Sequence, residues 1–385
     1  MQSLGVYLHI PFCRSKCRYC DFASFASKEG LIPSYAAALI KEIELRANVF
    51  SDYVVDTVFF GGGTPTLAGA AIVDEILGSL ARHFRIAPQA EITVEGNPAT
   101  VEQQEPVLLK RSGVNRFSLG VQSFNEKLLQ VLGRIHNSDD VLRTYDNLRA
   151  AGFDNINLDL IYGVPYQTAA IWLADLQKAI SLRPEHLSLY GLQVEEGTPL
   201  QQDVAQGLLR EPDEDVTAEM YLAADAVATK AGYYHYEISN FALPGRECRH
   251  NLKYWRYQPY IGLGCAAHSF VEGIRTANTS SLLDYLQRMA KGESAVIERE
   301  HIYGQEQLGE YLMLAFRTSR GVNEREFYER FGRELNLMLP NVENFLREGL
   351  LIREDGAIRM TPQAWQVSNY ILAQILPDWQ TTGYS

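Results

Sequence analysis

From position 5 onward, short β-rich runs alternate with amphipathic helical stretches. Strands are predicted at GVYLHI (5–10), VDTVFF (55–60), EITVEG (91–96), RFSLGVQ (116–122), NINLDLIYG (155–163) and HLSLYGLQV (186–194). Between them, in PSYAAALIKEIELRANVF, Tyr35, Leu39 and Ile43 recur one helical turn apart, and AAIVDEILGSLARHF, DDVLRTYDNLRAAG and AAIWLADLQKAISL read the same way. Six strand–helix alternations predict parallel βαβ units with right-handed crossovers. A seventh strand-like run, YYHYEIS, follows the helix AEMYLAADAVATKAG.

Successive strand residues point to opposite faces. One face of these strands is apolar: Val6, Leu8 and Ile10; Ile92 and Val94; Phe117, Leu119 and Val121; Ile156, Leu158 and Leu160. The other is polar: Tyr7 and His9; Glu91, Thr93, Glu95 and Asn97; Arg116, Ser118, Gly120 and Gln122; Asn155, Asn157 and Asp159. A closed eight-stranded barrel fills its interior with branched aliphatics, and parallel sheets are normally covered on both faces. The pattern therefore predicts an α/β fold built as an incomplete barrel, its concave face lined for a large polar ligand. An open sheet with one wet face is the alternative.

After about residue 240 the periodicity changes. An aromatic, glycine-rich region leads to helical segments, and the end reads as helix, a hairpin turning at Asp355-Gly356, then helix. This predicts a small, mainly helical, winged-helix-like module. The expected division is 1–235 for the barrel, 236–300 for a connecting segment and 301–385 for the C-terminal unit.

With 47 acidic and 35 basic residues, the formal charge is −12. That argues against nucleic acid or an anionic membrane as the main partner, and the module's shape alone does not license DNA binding. No apolar run is long enough to span a bilayer, and MQSLGVYLHIPF lacks the features of a signal peptide, so a cytoplasmic protein is expected. Five cysteines, three of them at Cys13, Cys17 and Cys20, point to metal or redox chemistry rather than a disulfide framework.

These three follow C-x3-C-x2-C, and Phe22 stands where a fourth thiol would complete a square. A structural zinc site needs four closed ligands, and no second Cys/His pair appears downstream. Iron–sulfur clusters are normally held by four thiolates; three leave one iron open to an exogenous ligand. The second strand ends in FFGGGTP, where glycines let backbone approach a ligand closely.

The cysteine spacing, with Tyr19 before Cys20, resembles the radical S-adenosylmethionine superfamily. That resemblance implies a [4Fe-4S] cluster on Cys13, Cys17 and Cys20, with S-adenosylmethionine chelating the open iron. It makes the core an incomplete (β/α)6 radical S-adenosylmethionine barrel. Along nearly the whole chain the sequence is similar to the branch containing oxygen-independent coproporphyrinogen III oxidases. The positions matching that branch's cofactor contacts are Tyr7, Gly62, Gly63, Thr64, Glu95, Gln122, Arg134 and Asp159.

Within the branch, the oxidases carry a fourth cysteine where this chain has Phe22, and an extension before the cluster loop for which Cys13 stands too near Met1. The aromatic at 22 resembles the heme chaperones of the HemW family, as does HNLKYW, with His250, Asn251, Tyr254 and Trp255. The resemblance implies heme as bound cargo, with His250 as a candidate iron ligand. Cys248, Cys265 and His268 lie nearby, and the two thiols read as ordinary buried cysteines. The implied partners are a heme-acceptor protein, an electron donor for the cluster and a second copy in a homodimer. The enzyme alternative is radical chemistry on a tetrapyrrole, as in coproporphyrinogen oxidation; no catalytic residue is assigned.

Overall fold

The six runs read as strands form parallel neighbours in chain order. In the computed structural model, which describes residues 2–376 apart from 102, 212 and 340, they are β1 (Gln2–Ile10), β2 (Tyr53–Gly62), β3 (Ile86–Gly96), β4 (Arg116–Gln122), β5 (Ile156–Tyr162) and β6 (His186–Gly191). The pairing runs β1–β2–β3–β4–β5–β6 without a skip. Each link crosses over through helix, the principal ones being α1 (Ile32–Ala47), α2 (Ala70–His83), α3 (Ser138–Ala150) and α4 (Ala169–Ser181).

The apolar strand faces meet these helices. Val6, Leu8, Val58, Phe60, Val94, Phe117, Leu119, Leu158, Leu160 and Leu187 are fully buried in one cluster with Leu39 and Ile43 of α1 and Trp172 of α4. The register stacks the opposite face into polar rows. Glu95 pairs with Ser118, Ser118 with Asn157 and Asn157 with His186; one level on, Gly120 pairs with Asp159 and Asp159 with Ser188.

Beyond β6 the sheet changes character. The helix α5 (Glu214–Lys230) leads to β7 (Tyr234–Glu237), which turns back at once into β8 (Asn240–Ala242), and β8 pairs antiparallel with β6. A tight turn admits only antiparallel pairing, whereas a parallel partner needs a crossover. The HLSLYGLQV strand also stops early, at Gly191. The short helix α6 (Arg249–Trp255) follows, and then β9 (Tyr260–Leu263) pairs parallel with β1 on its free side. Strands β10 (His268–Val271), β11 (Ile274–Asn278) and β12 (Val296–His301) continue antiparallel from there, completing a twelve-stranded sheet.

The residues after 301 gather a second core around Leu312, Phe316, Phe327, Ile358 and Trp365. Its three short strands are Val322–Asn323, Leu351–Glu354 and Ala357–Met360. The last two form the expected hairpin, with Asp355 and Gly356 both at positive φ, the backbone a two-residue hairpin loop demands. Residues 377–385 of the 301–385 unit lie outside the described residues.

One buried carboxylate joins the early and late parts of the sheet. Glu42 of α1, 2% exposed, accepts hydrogen bonds from the Gly264 N–H (2.7 Å), the Asn278 amide (2.7 Å) and the Tyr285 hydroxyl (2.8 Å). Glu42→Ala orphans all three donors in a dry interior and is expected to cost on the order of 3 kcal/mol, with Glu42→Gln costing less. Chemical denaturation of both variants checks this; midpoints equal to the parent's would contradict it.

Candidate functional site

The three clustered cysteines sit on a loop that leaves β1 and is stitched down at several points. The two-residue strand Phe12–Cys13 pairs parallel with Phe25–Ala26, and the Phe25 N–H donates to Pro11 O at 2.7 Å. His9 adds its ring, with Nε2 2.8 Å from Ala23 O and Nδ1 3.0 Å from the Tyr7 hydroxyl. Further along, the Arg18 N–H reaches Leu132 O and the Arg18 guanidinium pairs with Asp203. Cys13, Cys17 and Cys20 are half-buried free thiols, and Phe22 is 64% exposed. Among the described residues no three His, Cys, Asp or Glu side chains converge on one ion position. Three thiols spread along one loop suit a cluster, in which each thiolate takes a different iron.

The ends of β2, β3 and β4 close on this loop. Thr64 Oγ1 lies 3.7 Å from Cys13 Sγ, and Arg134 Nη1 lies 3.3 Å from Cys17 Sγ. Asn97 bridges the two: its amide donates to Thr64 Oγ1 at 2.8 Å, and its carbonyl accepts from Arg134, which also donates to Gly120 O. The glycine run has a geometric cause. A Cβ on Gly63 would stand 2.6 Å from Phe12 O, and one on Gly62, at φ +107°, would stand 2.4 Å from the His9 ring. These glycines thus admit the cysteine loop itself, beyond any ligand. Gln122 ends β4 at φ +65°, a left-handed conformation unusual outside glycine.

Beneath this layer lies a partly open cavity of about 190 Å³ bordered by the polar rows. Tyr7, Glu95 and Asp159 line it, joined by Arg116, Ser118 and Asn157 from the same faces. Gly62, Gly63, Thr64, Gln122 and Arg134 are not part of that lining; Thr64 and Arg134 sit at the cysteine loop. Asp159 accepts from Ser118 Oγ (3.1 Å) and Asn157 Nδ2 (2.7 Å). Burial nevertheless raises its pKa, and burial together with the Asp159 charge pushes Glu95 up to about 8. Arg116, 2% exposed, faces them with an Nε that has no partner among the described residues. Two carboxyls with raised pKa values and an unpartnered guanidinium Nε leave hydrogen-bonding capacity for a ligand that carries amine, carboxylate and hydroxyl groups.

Ser188 and Tyr190 also line the cavity, and neither was among the expected residues. The alternation of HLSLYG would have placed both on the polar face with His186.

The floor of the cavity is α6. Its N-terminus is held by Glu91, which accepts from the Arg249 N–H (3.1 Å) and the His250 N–H (3.0 Å). His250 is 1% exposed, with Nδ1 2.8 Å from Thr57 Oγ1 and Nε2 2.8 Å from the Tyr254 hydroxyl. Burial, with Lys253 and Arg116 nearby, drives its pKa down to about 3, so the ring is neutral. His250, Asn251 and Tyr254 line the cavity, whereas Trp255 faces away into a separate cleft. Cys248 and Cys265 are fully buried, and His268 is exposed.

Residues 7–179 match the radical SAM superfamily model and residues 304–367 match the HemN C-terminal domain. The heme chaperone HemW of Bacillus subtilis is 34% identical over 374 residues, covering 97% of this chain and 99% of that protein. The heme chaperone HemW of Escherichia coli is 36% identical, covering 90% and 91%. The chain belongs to the HemW family. Coproporphyrinogen III oxidase (HemN) from Escherichia coli superposes with a TM-score of 0.85 over 97% of this chain and 89% of that one, at 22% identity. That likeness shows the fold, an incomplete radical SAM barrel with a HemN-type C-terminal unit.

The raised Glu95 pKa makes a prediction for the ligand-free chain. The unfolded carboxyl ionises near 4.5 and the folded one near 8. Between those values the folded state holds a proton that the unfolded state has lost, so this contribution to stability fades as pH rises through the window. Denaturant midpoints across the range should fall less steeply in Glu95→Gln than in the parent; identical slopes would contradict the assignment.

Proposed function

We propose that the protein is a heme chaperone that binds heme, carries a [4Fe-4S] cluster with S-adenosylmethionine, and passes heme to an acceptor protein. The observation that carries this reading is near full-length kinship with HemW proteins in a chain that puts Phe22, not a thiol, at the edge of its cysteine loop.

Cys13, Cys17 and Cys20 hold the cluster on this reading. S-adenosylmethionine, when bound to the cluster, is a latent source of a 5′-deoxyadenosyl radical. Tyr7, Glu95 and Asp159 receive it within the barrel, and Gly62, Gly63, Thr64, Gln122 and Arg134 at the strand ends. The half-buried carboxyl of Glu95 accepts hydrogen bonds from an amine or ribose hydroxyls. Arg134 holds Cys17 and Asn97 in register, so cluster loop and ligand layer are positioned together. Asn97, Arg116 and Ser188 join this set as residues that fix the polar rows.

His250 as an iron ligand requires a change of partners. Iron at Nε2 displaces the Tyr254 hydroxyl, and iron at Nδ1 displaces Thr57. Among the described residues no helix is long and apolar enough to cross a membrane, and we place the protein in the cytoplasm. The heme acceptor is its principal partner; an electron donor for the cluster and a homodimer complete the proposal.

Anaerobic reconstitution followed by heme titration tests this function. The expected result is saturation near one heme per chain and transfer to an apo-acceptor, with no turnover of coproporphyrinogen. Cys17→Ser should lose nearly all bound iron and sulfide. Coproporphyrinogen-dependent release of 5′-deoxyadenosine, without saturable heme binding, would replace the chaperone by an oxidase.

A further inference from the structure

The same short helix that floors the barrel also borders an outer cleft of about 690 Å³, within the size range of small-molecule sites. Tyr234, Tyr236 and the C-terminal half of α6 form one side, and residues 311–330 of the C-terminal unit form the other. Trp255 enters it partly buried, and among the described residues its indole makes neither a ring contact nor a hydrogen bond. Leu252 and Ala315 supply aliphatic surface beside it.

Three arginines line this cleft in a chain of net charge −12. Arg320 is ion-paired with Glu326. The Arg256 side chain has no hydrogen bond or ion pair among the described residues; partial burial and then Arg320 lower its pKa, while Glu247 and Glu326 act the other way. Arg330 lies over the rings of Tyr257 and Tyr311, each 5.1 Å away, and donates to Tyr257 O, but meets no carboxylate. Glu247 and Glu329 also border the cleft, and Glu329 is taken by Arg325. The arrangement sets the Trp255 indole, with Leu252 and Ala315, beside two guanidiniums that make no ion pair among the described residues, Arg256 having Glu247 and Glu326 in its surroundings. It fits an aromatic macrocycle carrying carboxylates.

We propose that this cleft is the heme seat, with the macrocycle against Trp255 and the propionates on Arg256 and Arg330. The inference rests on the heme-chaperone reading and gives that reading its site. Among its described lining residues there is no histidine, cysteine or methionine, so iron meets oxygen donors or water. A cargo held by stacking and propionate pairing rather than by a strong axial bond leaves readily, which is what delivery requires. His250 lies on the barrel side of the same helix and is not part of the seat.

The test is heme titration of the full-length, cluster-loaded protein and of Trp255→Leu, Arg256→Glu and His250→Gln, with folding checked by circular dichroism and cluster content. Trp255→Leu and Arg256→Glu should each bind heme about tenfold more weakly, as loss of a central anchor does. Heme dimethyl ester, which lacks the propionate charges, should lose at least a similar factor in the parent and a smaller one in Arg256→Glu, where only the Arg330 pairing remains to be lost. If the parent saturates but both cleft variants bind as it does, the seat is elsewhere and the chaperone reading stands. If the parent shows no saturable binding, both fall. Arg256 is exposed, so its variant remains informative should Trp255→Leu misfold.

Discussion

Polar side chains on the inner face of a parallel sheet have to be satisfied without bulk water, and much of this molecule follows from that constraint. Glu95, Ser118, Asn157 and His186 form one row across four strands, with Asp159 and Ser188 in the next. They bond one another as far as geometry allows: Asn157 reaches Ser118 and Asp159, and His186 reaches Asn157 and Tyr236. The remainder, an orphaned Arg116 Nε and two carboxyls with raised pKa values, is the capacity left for a ligand. A sheet built for stability alone would fill this space with aliphatic side chains.

The two ends of the barrel are closed by different means. At the strand C-termini, the cysteine loop is laid over glycines that leave no room for a side chain, with Thr64 and Arg134 reaching its sulfurs. At the other end, α6 is clamped down by Glu91, by Thr57 on His250 and by an ion pair of the buried Lys253 with the half-buried Asp56 at 2.7 Å. Gly5 of β1 makes way for it, since a Cβ there would stand 2.8 Å from the Lys253 side chain. HNLKYW is therefore one structural unit with two faces. His250, Asn251 and Tyr254 look into the barrel and Trp255 looks out, which places the floor of the inner cavity and the wall of the outer cleft on a single turn-and-a-half of helix.

Much of this was legible in the sequence because the signals were periodic. Period-two alternation put Tyr7, Glu95, Arg116 and Asp159 on one face, and the three-thiol spacing stood out against a cysteine-poor chain. Asp355-Gly356 between two apolar runs marked its hairpin. The same rule would have delivered Ser188 and Tyr190, but the run HLSLYGLQV hid where the strand ended. Strands β9 to β12 are four to six residues long, too short for periodicity to speak, and β9 joins β1 through a contact remote in sequence. The location of His250 on the barrel floor, rather than in an open pocket, depends on Glu91 and Thr57, residues far away along the chain.

The proposed cofactor cavity inside the barrel and the proposed heme cleft outside it lie back to back across α6. The direct measurement is a heme titration of cluster-loaded protein repeated at saturating S-adenosylmethionine, with both ligands quantified in the same complex. Two separate sites require one of each bound together, with heme stoichiometry unchanged by the cofactor. Competitive displacement, with heme lost in proportion as S-adenosylmethionine binds, would contradict it and put both ligands in the barrel.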